Sequence, residues 1–246
     1  MQVVLLAAGL GSRLGALTKD LPKALVSVAG KPLIFYALEF AARLHPAQII
    51  VVGGFGFPLV AGALEQGQAN NPALAGLPIQ LVENTSFRDG NLISLLAARP
   101  RVTEGFVLLN VDHIYRSRIA AVVAPDVADV TAFIDTDRSL GADDMKVERR
   151  LDGRVRRIAK TLTKFDAGYV GMTRVPPFAL ARYWQAAEAA LAEEGRAIHV
   201  ERILGRLAES DAAPLCRDIS GHGWLEVDTA EERAAAEQAL LAAQVF

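Results

Sequence analysis

The chain has 246 residues, 52% of them hydrophobic, with a formal net charge of -2. That length allows one or two α/β domains with a sizeable core and no need of a covalent staple, and the near-neutral balance excludes a global basic field for nucleic acid. A single cysteine, Cys216, excludes an intramolecular disulfide, and no stretch approaches the ~20 apolar residues of a membrane helix, so the expectation is a soluble cytoplasmic protein with neither nucleic-acid binding nor membrane insertion.

Val3–Ala8 is a short apolar run with no basic segment before it, and reads as a first strand rather than a signal peptide. It runs into Gly9-Leu10-Gly11-Ser12-Arg13. Lys31–Leu44 follows a helical pattern with Pro32 near its start, where proline is tolerated. Ile49–Val52, Ile79–Val82 and Phe106–Val111 are further apolar runs, separated by helix candidates at Leu59–Gln66 and Asn91–Arg99. Continuous apolarity predicts strands covered on both faces, hence a parallel, doubly wound α/β sheet.

After Val111 the pattern changes. Val130–Asp135, Met145–Arg149, Arg154–Ala159 and Ala167–Met172 read as strands with little helix between them, and Asp152-Gly153 marks a hairpin. The second half therefore carries a mixed or antiparallel addition. Phe178–Glu194, after Pro176-Pro177, reads as an alanine-rich helix, Val200–Ala208 as another, and Ala230–Ala243 as a last one beginning at Asp228-Thr229.

A strand that ends in Gly9-x-Gly11 places backbone N–H groups where open α/β sheets bind ligands. A plain tight turn is one reading, because so short a pattern is weak. A dinucleotide fold would want a third small residue where Leu14 stands and an acid after the second strand, where Gly53-Gly54-Phe55-Gly56 lies. A P-loop would want Gly-Lys-Ser/Thr, which is absent. What stands out is Arg13 and Lys23 bracketing the loop, since both cations grip phosphate.

Two aspartates end strands: Asp112 after Phe106–Val111, and Asp228 after Trp224-Leu225-Glu226-Val227. Each alone reads equally as a turn residue or, for Asp228-Thr229, a helix cap. Beside a triphosphate loop the pair suggests a Mg²⁺ site, because Mg²⁺ takes one or two carboxylates plus phosphate oxygens.

Leu6-Ala7-Ala8-Gly9-Leu10-Gly11-Ser12-Arg13 with Pro22-Lys23-Ala24-Leu25 resembles the nucleotide-sugar and phospho-alcohol nucleotidyltransferases. The resemblance implies a GT-A-type, Rossmann-like α/β three-layer sandwich with a mixed central sheet and a small antiparallel β addition in the second half. It implies one nucleotidyltransferase domain over 1–246, with a nucleotide-binding half (1–115) and an acceptor-binding half that includes the C-terminal helix (116–246). Arg13 and Lys23 would be catalytic, stabilising the departing pyrophosphate, and Asp112 and Asp228 would hold Mg²⁺, with Thr229 free to cap the helix. Leu6, Ala8, Gly9, Gly11 and Ser12 would bind the nucleotide, as would Glu83, Asn84, Asn91 and Ser94 around its base and ribose. Asn91 and Ser94 also read as plain capping residues.

Asp112-His113-Ile114-Tyr115, Asp143-Asp144-Met145-Lys146-Val147, Gly153-Arg154-Val155, Ile158-Ala159-Lys160 and Asp166-Ala167-Gly168-Tyr169 form an ordered series. This series is similar to the cytidylyltransferases that make CDP-inositol from inositol-1-phosphate, with phosphocholine cytidylyltransferases as near relatives. The family more often has glycine where Val111 precedes Asp112-His113. The similarity implies that His113, Asp144, Lys146 and Lys160 bind the second substrate, Lys146 through its phosphate. The partners would be CTP, or another NTP, and a phosphorylated small-molecule alcohol; a homodimer is compatible with the sequence. The alternatives are a phosphocholine or phosphonate cytidylyltransferase, a UTP-using sugar-1-phosphate nucleotidyltransferase, and, in a different class, a nucleotide-binding regulatory module without turnover.

Overall fold

The computed structural model describes residues 1–242. Ala243, the expected end of the last helix, lies outside the described residues. In chain order the elements are β1 (Gln2–Ala7), β2 (Ser27–Val28), β3 (Lys31–Pro32), α1 (Leu33–Ala42), β4 (Gln48–Gly53), α2 (Phe57–Asn70), β5 (Ile79–Glu83) and α3 (Asn91–Ala98). Then come β6 (Phe106–Asn110), β7 (His113–Tyr115), α4 (Ala120–Val123), β8 (Thr131–Asp135), β9 (Lys146–Arg149), β10 (Val155–Ala159) and β11 (Ala167–Val175). The chain continues with α5 (Leu180–Glu194), α6 (Glu201–Ala208), β12 (Leu215–Asp218), β13 (Trp224–Glu226) and α7 (Ala230–Ala242).

The main sheet runs β10-β9-β11-β6-β1-β4-β5, with β8 pairing β11 and β12 pairing β8. β6, β1, β4 and β5 are parallel, whereas β11 is antiparallel to β6. The sheet is therefore mixed, and the change of direction coincides with the change of sequence pattern after Val111. Alternate residues of β1 explain the layers. Val4 and Leu6 pack on one face with Leu92 and Leu95 of α3, Tyr183 of α5 and Ile203 of α6. Val3 and Leu5 pack on the other with Ile34 and Leu38 of α1 and Val60 of α2. Both faces of a strand with side-chain period two are thus buried, giving helix–sheet–helix layers.

Several boundaries differ from the sequence expectation. The helix expected over Lys31–Leu44 begins at Leu33, because a turn at Ala29 (φ 48°) and Gly30 (φ 81°) folds Lys31–Pro32 back onto Ser27–Val28. α2 is longer than Leu59–Gln66, since Pro58 sits in its first turn, where its missing N–H has no intrahelical role. β12 is a short strand beside a distant partner, and its pattern carries too few residues to read; β13 falls on the strand expected before Asp228. The Asp152-Gly153 hairpin is present, with Gly153 at φ 79° and β9 antiparallel to β10.

The order of β4, β1 and β6 sets the site. The chain leaves β1 toward β4 and β5, then returns to lay β6 on the other side of β1. Such a reversal opens a crevice at the carboxyl ends of the strands. Leu6 faces Asn110 across β1 and β6, so the glycine loop and Asp112 leave the sheet side by side. On the other flank β11 breaks register between Tyr169 and Thr173, with Gly171 at φ 69°. This bulge swings the strand past the crevice, and a Cβ on Gly171 would lie 2.6 Å from the His113 ring. Gly171→Ala is expected to lose at least ~1–2 kcal/mol in urea unfolding, from left-handed backbone strain alone. It should also shift the His113 ring signals in NMR; wild-type stability with unmoved His113 signals would contradict the packing.

Candidate active site

The crevice is a cavity of about 440 Å³. Gly9, Gly11 and Ser12 line one side, and Gly11 carries the sharpest requirement. It adopts φ 69°, and a Cβ there would stand 2.9 Å from Lys23 Cβ and 3.0 Å from Thr18 Cγ2. Only glycine lets the loop lie against the Lys23 segment, and Thr18 Oγ1 fixes it by donating to the Gly11 carbonyl (2.8 Å).

Lys23 is buried, and its Nζ donates to Asp112 Oδ2 (2.7 Å) and, very closely, to Asp228 Oδ1. Arg13 pairs closely with the other oxygen of Asp228 and stands 3.5 Å from Asp143. Two features bring the aspartates together. β13 pairs antiparallel with β7, Glu226 opposite His113, and Val227 N donates to the Asp112 carbonyl (2.9 Å). Asp228 is also released from capping duty: Thr229 Oγ1 accepts from Glu232 N (3.1 Å), while Glu232 Oε2 accepts from the Asp228 and Thr229 amides. This reciprocal capping box satisfies the start of α7 and leaves the Asp228 carboxylate to the cavity.

His113 is held on all sides. It stacks on Trp224 (centroids 5.3 Å apart) and Tyr115 (5.8 Å), and its Nδ1 meets Asp112 Oδ1 at 2.6 Å. Burial opposes ionisation of Asp112, but the Lys23 ammonium and the His113 ring outweigh it and hold the carboxyl well below the usual range. Burial likewise disfavours charge on His113 and Lys23, yet their carboxylate neighbours win and raise both pKa values. The cluster is thus a set of charges that keep one another ionised in a poorly solvated place.

Asp112 and Asp228 fit a divalent cation, because they already share a positive group: the Lys23 ammonium stands between them. Among the described residues no group of three or more His, Cys, Asp or Glu side chains is arranged to hold a metal. Two carboxylates suit Mg²⁺, which completes its shell with water and phosphate oxygens, and do not suit a structural zinc.

Asn91, Asp144 and Lys160 also line the cavity. Other residues expected there do not. Leu6 is buried in β1 among core side chains, and Ala8 is buried beside it, its carbonyl accepting from Phe55 N (3.3 Å). Glu83 is exposed at the end of β5, two strands from β1. Asn84 Nδ2 donates to Ser94 Oγ (2.9 Å) in a buried pair, while Asn84 Oδ1 accepts from Ser86 N (2.9 Å). These two shape the 84–90 turn from beneath. Lys146, expected at the acceptor phosphate, is buried, and its ammonium donates to the carbonyls of Gly141 (2.6 Å), Lys160 (2.8 Å) and Asp144 (3.3 Å). It ties the 141–144 loop to the end of β10 and stays outside the cavity wall.

Other wall residues lie outside the sequence expectation. Phe87, Arg88 and Asp89 come from the turn before α3, Asn110 from the end of β6, and His199 and Glu201 from the start of α6. Glu226 was readable in principle, two residues before Asp228 on one strand face. His199 and Glu201 had no local signal, because a loop contact with α3 brings them in.

Fold and site together are those of a nucleotidyltransferase: a glycine loop at a switch point, two cations and two carboxylates. The chain belongs to the family of MobA-like NTP transferase domains, whose model matches residues 3–210. Such enzymes generally use a divalent metal, and an NTP with a phosphorylated second substrate fits the family. A bifunctional IPC transferase and DIPP synthase of Rubrobacter xylanophilus is 30% identical over 240 residues, covering 96% of this chain and 51% of that protein. The chain spans about half the length of the curated relatives it matches. Among solved structures, the inositol-1-phosphate CTP transferase from T. maritima has a TM-score of 0.80 at 18% identity, over 100% of this chain and 97% of that one. The CTP:phosphocholine cytidylyltransferase from Streptococcus pneumoniae has a TM-score of 0.76 at 20% identity, over 97% and 98%. Among the described residues no helix is long and apolar enough to cross a membrane.

The pKa directions set a pH dependence. Asp112 has a folded pKa below its unfolded value near ~4, so its pairing stabilises the fold above that pH and is lost as pH falls. His113 has the opposite sign: its contribution is complete below ~6.5 and is lost as pH rises through its folded pKa. Lys23→Met is expected to move the Asp112 carboxyl midpoint upward in a ¹³C NMR titration. An unmoved midpoint would mean that Lys23 is not its counter-charge.

Proposed function

We propose that this protein transfers CMP from CTP to a phosphorylated alcohol, inositol-1-phosphate being the best candidate, and releases pyrophosphate with Mg²⁺ as the metal. The observation that carries the reading is the meeting of Lys23 with Asp112 and Asp228 beside the Gly9–Arg13 loop. The names of the full-length relatives and of the two solved structures supply the choice of CTP and of an inositol acceptor. We assign 1–115 to the nucleotide and 116–246 to the acceptor, with Asp228 returning from the second half to the metal. The single half-buried Cys216 suits a reducing, cytoplasmic setting.

The nucleophile is an oxygen of the acceptor phosphomonoester, whose second pKa near ~6 makes it largely dianionic at neutral pH. It needs no general base. Its oxygen forms a bond to the α-phosphorus as the bond to pyrophosphate breaks, and no proton is transferred. The barrier is repulsion between two anions. Backbone amides of the glycine loop orient the triphosphate; Arg13 and Lys23 offset its charge and that of the leaving pyrophosphate. Asp112 and Asp228 would hold Mg²⁺, which supplies Lewis-acid polarisation of phosphate oxygens when bound. His113, stacked and bonded to Asp112, keeps that carboxylate aimed.

Four NTPs screened against inositol-1-phosphate, phosphocholine, a phosphonate and a sugar-1-phosphate test the reading through pyrophosphate release. CTP with inositol-1-phosphate is expected to lead. Lys23→Ala and Asp112→Ala should each lower kcat by at least ~10²-fold, the usual loss for an electrostatic group at the reacting centre, with the fold intact by circular dichroism. Near wild-type turnover in either variant would refute these roles. Nucleotide-dependent stabilisation with no pyrophosphate from any pair would indicate a binding module.

A further inference from the structure

Glu201 is among the charged wall residues that the chemistry above does not use. Glu201 opens α6 and lines the cavity. Its Oε2 is enclosed and has no hydrogen-bond partner. Burial pushes its pKa up against its own backbone amide and the nearby His199, Lys160 and His113. A carboxyl oxygen shut from water and left unpaired costs stability, and an entering donor relieves that cost.

The seat of Glu201 is fixed to the nucleotide side. Gly90 N donates to the Arg196 carbonyl (2.8 Å), and Val200 N donates to Asn91 Oδ1 (2.8 Å). Arg196 Nε also donates to Asp89 Oδ2 (2.7 Å). The segment before α6 is therefore clamped to the start of α3, and Glu201 meets the cavity from a braced position.

We propose that Glu201 reads a hydroxyl of the second substrate, so that the acceptor is a phosphorylated polyol and not a phosphorylated quaternary amine. This deepens the nucleotidyl-transfer reading above and rests on it. The surroundings discriminate the two classes. A trimethylammonium group has no N–H or O–H to give Glu201, so the enclosed Oε2 would stay without a donor. Caging it would take aromatic faces, and apart from the histidines the described wall offers Phe87 and Tyr169. A polyol hydroxyl donates to the carboxyl and accepts from a neighbouring donor at once. Lys160 and His199, on the same wall, suit the phosphate that carries the nucleophilic oxygen.

The test is steady-state pyrophosphate release by the whole chain with CTP and Mg²⁺, comparing wild type, Glu201→Ala and Glu201→Gln. Glu201→Ala is expected to raise KM for inositol-1-phosphate about tenfold to a hundredfold, the loss that follows removal of a hydrogen bond to a charged group. KM for CTP and kcat should change far less, and Glu201→Gln should recover part of the loss. Thermal stability of Glu201→Ala should equal or exceed wild type, because an enclosed carboxyl oxygen without a partner is gone; a residue acting only as a brace would lower it. An unchanged acceptor KM, or an equal rise for CTP, overturns the role of Glu201. A wild type that prefers phosphocholine overturns the polyol class while nucleotidyl transfer stands. Absence of pyrophosphate from every pair removes the transfer reading and this inference with it.

Discussion

The site depends on one charge arrangement: a buried lysine held between two aspartates, one after β6 and the other after β13. An ammonium removed from water is unfavourable unless it is paired, and so is a carboxylate. Lys23, Asp112 and Asp228 solve each other's burial. They also meet at the carboxyl ends of β1 and β6, where the cavity opens. The neutralised cluster keeps the cavity floor from presenting two bare carboxylates to an anionic ligand. The loop geometry at Gly11 follows from the same requirement, since any side chain there would push the glycine turn away from Lys23.

The second flank of the cavity is built by different means. The parallel half, β6-β1-β4-β5, offers a crevice but no wall on its far side. β11 supplies that wall by running antiparallel to β6 and then bulging at Gly171 around the His113 ring. β9 and β10 extend it, and Lys146 ties the loop before β9 to the end of β10 by donating to backbone carbonyls. A lysine close to such a cavity is easily taken for a phosphate ligand. Here it is a strut, and the distinction lies in its burial and in the carbonyls it meets.

The parallel half was legible because its strands are continuous apolar runs and its loop carries glycine with flanking cations. Arg13, Lys23, Asp112 and Asp228 were legible for the same reason: each ends or follows a strand that the pattern locates. The failures share a cause. β12 is four residues long and gains order from β8, a distant strand, so no period betrays it. Asn84 and Ser94 look like nucleotide contacts from the sequence, because both uses of a polar turn residue leave the same letters. Glu201 and His199 reach the wall only through the clamp between the segment before α6 and the start of α3, and a contact between loops has no sequence period.

The pairing of β13 with β7 has a consequence for how the molecule assembles. Lys23 and Asp228 are 205 residues apart in sequence, and the loop between them must close before the second carboxylate arrives. Closing it has an entropic cost that only the completed sheet offsets. Without that pairing Lys23 would keep Asp112 but lose Asp228, and Arg13 would lose the partner it meets there. A change that loosens β13 from β7 would therefore be felt at the glycine loop, through the two cations that Asp228 holds.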